Sequence, residues 1–143
     1  KGVLYEGESQ TQEVFSKDVM ADLTYALKAT VTGGTGSAAL KLGRPAAGKT
    51  GTSQSNASAW FSGYTPQLAA SVALFRDSAS ESLNGIGGLT SVTGGTFPAR
   101  IWTAFMQGAL KGQPIMSFPA PANVGGLEPI VMTSGGIQER KPK

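Results

Sequence analysis

The stretch from Gly43 to Thr52 constrains the fold most, because it surrounds a single lysine, Lys49, with small and hydroxyl residues. Glycine, threonine and serine dominate Ala46–Gln54, and these residues are poor helix formers. We therefore predict a strand over Ala46–Gln54. With no bulky side chain near Lys49, the backbone and the ammonium group of this strand can approach a ligand closely.

Two further strands are predicted after short connections. Ala59–Tyr64 is rich in aromatic residues, which favour strands, and it follows the turn signal Ser55-Asn56. After a tight turn at Thr65–Gln67, Leu68–Phe75 is apolar on both faces, which predicts a central strand. Because parallel strands need long crossover connections, the three strands are predicted to be antiparallel.

Two helices are predicted, one before the strands in the sequence and one after them. Ser16 is a candidate N-cap for the first helix, and the glycines of Thr32–Gly36 suit a left-handed cap at its end. Its apolar face, at helical spacing, comprises Val19, Met20, Leu23, Leu27 and Val31. The second helix begins near Pro98 and stops at Gly112. Its apolar stripe, predicted to pack on the sheet, comprises Ile101, Trp102, Phe105, Met106, Ala109 and Leu110.

Composition excludes several kinds of chemistry. The 143 residues are 40% apolar and 15% charged, as in a globular domain, and they include no cysteine and no histidine. Disulfides, thiolate catalysis, an ordinary zinc site and a Ser-His-Asp triad within this chain are therefore excluded, and we expect no cofactor and no metal. The net charge of +3 is scattered along the chain, so we expect no nucleic-acid partner.

Composition also suggests a division of the chain. Residues 1–112 hold the predicted helices and strands, together with a short strand candidate at Gly2–Tyr5 and a Gly/Ser-rich loop over 78–95. Residues 113–143 are rich in proline and paired glycines, which predicts an extended, weakly structured tail. Because the chain starts at Lys1 without a methionine or a signal pattern, we expect it to be a mature piece or a fragment.

Two unrelated motifs share Lys49. Residues 43–50 fit G-x-x-x-x-G-K-[ST], the phosphate-binding loop of nucleotide-binding enzymes, which requires a strand before Gly43 and a helix starting near Lys49. Residues 49–52 begin with Lys-Thr-Gly, an element of penicillin-interacting serine acyltransferases. The neighbouring residues favour the second interpretation, since Thr50–Asn56 disfavours a helix. The phosphate-binding loop remains an alternative.

Five segments, in order within residues 1–125, together carry a resemblance: Thr32–Ala39, Ala47–Thr52, Ala59–Pro66, Pro98–Met106 and Phe118–Pro121. The set resembles the transpeptidase domain of class A penicillin-binding proteins, in the style of actinobacterial members. This resemblance implies an α/β (α+β) fold in which an antiparallel sheet is flanked by helices. The chain would form half of a penicillin-binding, β-lactamase-like transpeptidase domain, its C-terminal half.

The resemblance also implies an activity. The enzyme would be a serine-type D,D-transpeptidase that crosslinks peptidoglycan in cell-wall synthesis, supports cell shape and is acylated by β-lactams. In the family's pattern, Lys49 supports proton transfer and electrostatic binding, and the hydroxyls of Thr50 and Thr52 bind the substrate carboxylate. The backbone N–H of Thr52 would be an oxyanion donor, so Lys49 and Thr52 are the catalytic candidates. Gly51 leaves space for the ligand backbone, and with Thr50 and Thr52 it completes the substrate-binding set.

The chain departs from the family by lacking part of the site. Two elements, S-x-x-K and S-x-N, should precede the K-T-G, but the sequence contains no S-x-x-K. Ser82-Leu83-Asn84 spells S-x-N after the K-T-G, and we interpret it as a chance match. We expect the nucleophile on an upstream N-terminal fragment of the same domain, left by a proteolytic nick and held non-covalently.

The expected partners follow from that interpretation. They are the N-terminal fragment with the S-x-x-K and S-x-N elements, peptidoglycan stem peptides and β-lactams. The expected location is the extracytoplasmic face of the plasma membrane, with the anchor outside this chain. A non-catalytic cell-wall-binding module of the same fold remains a further alternative.

Overall fold

The computed structural model describes residues 2, 5, 7, 12–78 and 80–125, and the backbone of two short strands beyond them. In chain order its main elements are helix α1 (Lys17–Thr32), a 3₁₀ helix (Ser37–Leu42), strands β1 (Ala47–Thr52), β2 (Ser58–Tyr64) and β3 (Ala69–Phe75), helix α2 (Phe97–Ala109), and strands β4 (Val131–Thr133) and β5 (Gly136–Gln138). Among the described helices, neither α1 nor α2 has the length and apolar character needed to cross a membrane.

Helix α1 begins where the sequence predicts. Ser16 Oγ accepts a hydrogen bond from the Val19 N–H at 3.3 Å, which satisfies one of the free donors of the first turn. The helix ends at Gly33, whose φ of −155° lies outside the left-handed region. The left-handed cap that the glycines suggest is therefore not formed at this residue.

The predicted apolar face of α1 is only partly buried. Val31 is buried, whereas Val19, Met20 and Leu23 keep 42%, 38% and 46% of their surface exposed. Thr24 is buried in their place. Helix α1 packs mainly against β1, at the margin of the described sheet, and this packing leaves Val19, Met20 and Leu23 partly exposed.

Strands β1, β2 and β3 form an antiparallel sheet in that order, which confirms the predicted strands and their direction. The prediction that the third strand is central is wrong for the described sheet, since β2 is central and β3 is at an edge. One face of β3 packs against the core through Val72, which pairs with Phe61. Its other face carries the small residues Ala69, Ser71 and Ala73, whose exposure costs little hydrophobic free energy, and also Phe75, which is 68% exposed.

Phe61 of β2 and Trp102 of α2 form the centre of the core. Their rings meet edge to face with centroids 5.2 Å apart, a favourable arrangement for aromatic pairs. Trp102 Nε1 donates to the carbonyl oxygens of Gly63 at 3.2 Å and Ala70 at 3.1 Å. The indole N–H is therefore satisfied although the side chain is fully buried.

Only part of the predicted stripe of α2 packs on the sheet. Trp102, Met106 and Leu110 are buried, whereas Ile101 and Phe105 are 46% and 53% exposed and Ala109 is exposed as well, so the prediction is wrong for these three. Successive residues of a helix are rotated by about 100°. The sheet covers the row of side chains at positions 102, 106 and 110. The adjacent row, which includes positions 101 and 105, lies to one side of this contact.

The loop over 78–95 packs against the sheet along much of its described length. Leu83 and Val92 are buried beside Ala59 in a second apolar cluster. The Leu83 N–H donates to the Asn56 carbonyl oxygen at 2.8 Å. The connection between β1 and β2 therefore holds this loop in place.

The tail is attached to the domain through its described residues. Gln67 Nε2 donates to the Pro114 carbonyl oxygen at 2.9 Å, and the Phe118 ring packs edge-on against Tyr64. Residues 113–125 contain no helix or strand. Beyond them, β4 and β5 pair with each other as antiparallel strands, which the composition of the tail did not predict.

Two predictions remain open. The strand candidate Gly2–Tyr5 falls on Val3 and Leu4, which lie outside the described residues. The division of the chain into residues 1–112 and 113–143 also stays a prediction.

Candidate functional site

The four motif residues Lys49, Thr50, Gly51 and Thr52 lie in β1, as predicted. Within the described part of the chain, β1 pairs only with β2 and so forms an edge of the sheet. An edge strand offers unpaired backbone groups to an extended ligand. The motif is therefore placed where a peptide backbone can lie alongside it.

Strand alternation separates the side chains of the motif. Lys49 lies opposite Ser62, whose Oγ is 2.5 Å from Ser71 Oγ, so these three residues form a polar row on the face turned away from α2. Thr50 lies opposite Phe61, on the face that packs against α2. The predicted division, with the lysine on one face and the threonines on the other, is confirmed.

Backbone groups of the threonines point to the open edge of β1. The Ser53 N–H donates to the Ser58 carbonyl oxygen of β2 at 3.0 Å. This bond shows which residues of β1 exchange backbone hydrogen bonds with β2. In an antiparallel pair, residues that exchange hydrogen bonds alternate with residues whose N–H and C=O point away. Lys49 and Gly51 therefore direct their backbone groups to β2, and Thr50 and Thr52 direct theirs outward.

The lysine side chain reaches the same edge. Lys49 Nζ donates to the Thr50 carbonyl oxygen at 2.8 Å, which agrees with the outward direction of that carbonyl group. The lysine side chain is otherwise exposed. One edge of β1 therefore combines an ammonium group with outward backbone groups at Thr50 and Thr52.

Both threonine hydroxyls are held by residues from other segments. Thr50 Oγ1 lies 2.6 Å from the Oγ1 of Thr35, in the loop after α1. Thr52 Oγ1 accepts a hydrogen bond at 3.2 Å from the N–H of Gly94, just before α2. The sequence did not single out Thr35 and Gly94 as site residues, although the Gly-Thr-Gly loop and the paired glycines were visible signals.

A groove of about 480 Å³ lies on the face that carries Lys49. Helix α1 borders it through Leu27, and the sheet contributes Ser62, Ser71 and the backbone of Gly48. The groove combines an apolar wall with one ammonium group, two serine hydroxyls and the side chain of Tyr64. It has the size and mixed character of a small-molecule or peptide cleft.

Residues 43–50 do not form a phosphate-binding loop. Gly43, with φ of +73°, ends the 3₁₀ helix, and Lys49 lies within a strand. Arg44 Nη2 donates to the carbonyl oxygens of Leu110 at 3.2 Å and Gln113 at 3.3 Å, at the end of α2. The phosphate-loop alternative is wrong, because an extended strand cannot converge its N–H groups on a phosphate as a helix N-terminus does.

The tripeptide Ser82-Leu83-Asn84 has contacts of a structural kind. Leu83 is buried, and Asn84 Oδ1 accepts a hydrogen bond from Asn56 Nδ2 at 2.7 Å. These contacts attach the loop to the connection between β1 and β2. They account for the tripeptide without a role in catalysis.

Comparisons with known proteins agree on one family. A family model described as the penicillin binding protein transpeptidase domain matches residues 6–83. Penicillin-binding protein 1A of Mycolicibacterium smegmatis is 36% identical over 124 residues, which cover 83% of this chain and 16% of that protein. Penicillin-binding protein 1A of Mycobacterium tuberculosis is 42% identical over 89 residues, covering 59% of this chain and 11% of that protein.

Solved structures give the same result. The penicillin-binding protein PonA1 from Mycobacterium tuberculosis aligns with a TM-score of 0.68 at 37% identity, covering 76% of this chain and 29% of that chain. The PonA1 structure in complex with penicillin V aligns with a TM-score of 0.66 at 36% identity, over 73% of this chain and 28% of that chain. The predicted fold class and the resemblance are both confirmed. The chain spans only 16% of the length of the first of these relatives.

Proposed function

The chain belongs to the penicillin-binding protein transpeptidase domain family, and on that premise we propose that it supplies the Lys-Thr-Gly wall of a peptidoglycan D,D-transpeptidase site. The sequence has no S-x-x-K element, so the nucleophilic serine comes from another segment of the domain. The partners in this proposal are that N-terminal segment, peptidoglycan stem peptides and β-lactams. The site faces the extracytoplasmic side of the membrane.

The reaction is a serine acyl transfer. The serine hydroxyl attacks the carbonyl carbon between the two D-alanines of a stem peptide, the terminal D-alanine leaves, and an amine of a neighbouring stem takes the acyl group. Lys49 places a positive charge beside the reacting groups and supports proton transfer. Thr50 and Thr52 bind the substrate carboxylate through their hydroxyls, and Gly51 leaves space for the substrate backbone.

The observation that carries the proposal is the open edge of β1. The phase of the ladder directs the N–H of Thr52 away from β2, where it can donate to an oxyanion that forms beside the strand. Removing one such donor in a serine protease costs about 3–4 kcal/mol in the transition state. Lys49 Nζ, bound to the Thr50 carbonyl oxygen at 2.8 Å, lies at the same edge.

Labelling with a fluorescent penicillin tests the proposal. The chain is combined with the upstream part of its transpeptidase domain, and acylation is followed by gel fluorescence. We expect label on the upstream segment and its loss, by at least about tenfold, in Lys49→Ala. Lys41→Ala, which removes another exposed lysine of the chain, serves as the matched control and should label normally.

Two results would contradict the proposal in different ways. Undiminished labelling in Lys49→Ala would remove the role assigned to this lysine. Absence of label from the combined domain, with penicillin binding intact by calorimetry, would favour the non-catalytic wall-binding module.

A further inference from the structure

The hydrogen bond at Thr52 determines what its hydroxyl can still do. A threonine hydroxyl has one proton to donate and two lone pairs to accept with. The Gly94 N–H can only donate, and it occupies one lone pair of Thr52 Oγ1 at 3.2 Å. The proton of the Thr52 hydroxyl is therefore left for another acceptor, and this side chain is exposed.

The hydroxyl of Thr50 is in a related position. Its Oγ1 lies 2.6 Å from Thr35 Oγ1, and either atom can be the donor. When an acceptor stands at the open edge of β1, Thr50 can give its proton to that acceptor while Thr35 donates to Thr50. Hydrogen bonds in such a chain strengthen one another.

We propose that Thr35 and Gly94 are positioning residues, which orient the hydroxyls of Thr50 and Thr52 as donors toward an anionic group of the ligand. The ligand class is an acyl donor with a free carboxylate beside the reacting carbonyl group. The ammonium group of Lys49, which lies at the same edge, supplies the matching charge. This inference rests on the proposed function and assigns the support of the site to two residues outside its motif.

The backbone around Thr35 and Gly94 is closely packed, which holds both residues in position. A Cβ on Gly94 would collide with the Trp60 carbonyl oxygen and with the Gly51 backbone, and a Cβ on Gly95 would collide with the Thr35 carbonyl oxygen. The paired glycines therefore let one segment touch both the motif strand and the Thr35 loop. The Gly94 carbonyl oxygen also accepts from the Ala99 N–H at 3.2 Å, which joins this segment to the first turn of α2.

The test compares two penicillins on the combined transpeptidase domain, one with its free carboxylate and one as the methyl ester. Thr35→Val removes the donor at almost constant volume. We expect the acylation rate with the carboxylate form to fall about tenfold, which corresponds to one charge-assisted hydrogen bond, and the rate with the ester to stay unchanged. Thr35→Ser should restore the lost rate. Thr32→Val should have no effect, since the Thr32 hydroxyl donates to the Lys28 carbonyl oxygen within α1.

Each of the other possible results contradicts either the role of Thr35 or the proposed function. An equal fall with both penicillins, or no rescue by Thr35→Ser, would make Thr35 a structural residue only. Absence of acylation in the unaltered domain would instead refute the proposed function.

Hydrogen exchange of the Gly94 amide in this chain gives a second readout that does not depend on activity. We expect faster exchange in Thr52→Val, which lacks the acceptor, and unchanged exchange in Thr52→Ser. Unchanged exchange in both variants would refute the contact between Gly94 and Thr52.

Discussion

Because Gly63 has no side chain, the aromatic rings of the core can pack directly against its backbone. A Cβ there would stand 2.9 Å from Phe61 Cε1, 3.0 Å from Trp102 Cζ2 and 3.1 Å from the Ala47 carbonyl oxygen. We expect Gly63→Ala to lower the free energy of unfolding by about 1–3 kcal/mol, because two packed rings and a neighbouring strand would have to shift. A urea titration of the full chain measures the change.

Gly108→Ala is the matched control for that prediction. A Cβ on Gly108, within α2, would have no neighbour inside 4 Å. Alanine is a better helix former than glycine by about 1 kcal/mol, so this variant should be slightly more stable. Similar effects of the two substitutions would show that the packing at Gly63 is looser than described.

At the scale of elements, Arg44 joins the segment before β1 to the end of α2. Its guanidinium donates to the carbonyl oxygens of Leu110, Gln113 and Pro114, between 3.2 and 3.4 Å. A cation at a helix C-terminus also interacts favourably with the helix dipole. We expect Arg44→Ala to cost about 1 kcal/mol in thermal or urea unfolding.

Arg76→Ala provides the comparison for Arg44. Arg76 lies 3.8 Å from Glu81, and both side chains are largely exposed. Such surface pairs contribute about 0–1 kcal/mol, so this variant should be close to unaltered in stability. A larger loss for Arg76→Ala than for Arg44→Ala would contradict the capping role.

The attachment of the tail to α1 should depend on pH. Asp22 accepts the N–H groups of Asn123 and Val124, each at 2.8 Å. The Asn123 N–H, chiefly, holds the pKa of Asp22 below its ordinary value of 3.8, with weaker help from Val124 and against some desolvation. The stabilisation that the ionised Asp22 carboxylate gives to the tail contact is therefore complete above that ordinary pKa. It is lost as the pH falls through the lowered pKa of the folded state.

Amide NMR signals of Asn123 and Val124 measure this dependence. Between about pH 5 and pH 4 they should stay constant, and on further acidification they should move together. Asp22→Asn should remove the transition, while Asp18→Asn on the same helix should keep it. Movement of both signals above the ordinary carboxyl range would contradict the assignment.

At the scale of the whole molecule, several large apolar side chains lie at the described surface. Phe105 and Ile101 on α2 are 53% and 46% exposed, and Leu23 on α1 is 46% exposed. Exposed apolar patches of this kind are sites of association. We expect the chain alone to bind an anilinonaphthalene sulfonate dye, and the upstream part of the domain to suppress the dye fluorescence.

Phe105→Ser separates surface exposure from loose folding. It should lower the dye signal while the free energy of unfolding from a urea titration stays within about 0.5 kcal/mol of the original, because the ring contributes little to the described core. Phe61→Ser, in contrast, should unfold the domain. A dye signal unaffected by Phe105→Ser would show that the dye binds elsewhere.

The sequence by itself determined the elements and the position of the motif. Ser16, the Gly/Thr/Ser composition of β1 and the aromatic residues of β2 act locally, through capping, helix propensity and strand preference. Alternation along β1 is equally local, so the separation of Lys49 from the threonines was predictable. The family resemblance was carried by short segments in the right order, and it was confirmed.

Only the tertiary structure decided which of these features meet. The edge position of β3, the exposure of Phe105 and the burial of Leu83 depend on what packs against each residue, which local pattern does not contain. The contacts of Thr35 with Thr50 and of Gly94 with Thr52 join residues 15 and 42 positions apart. Such contacts depend on the close approach of three segments at an edge strand, so Lys49–Thr52 is a predictable motif whose support could be found only in the folded chain.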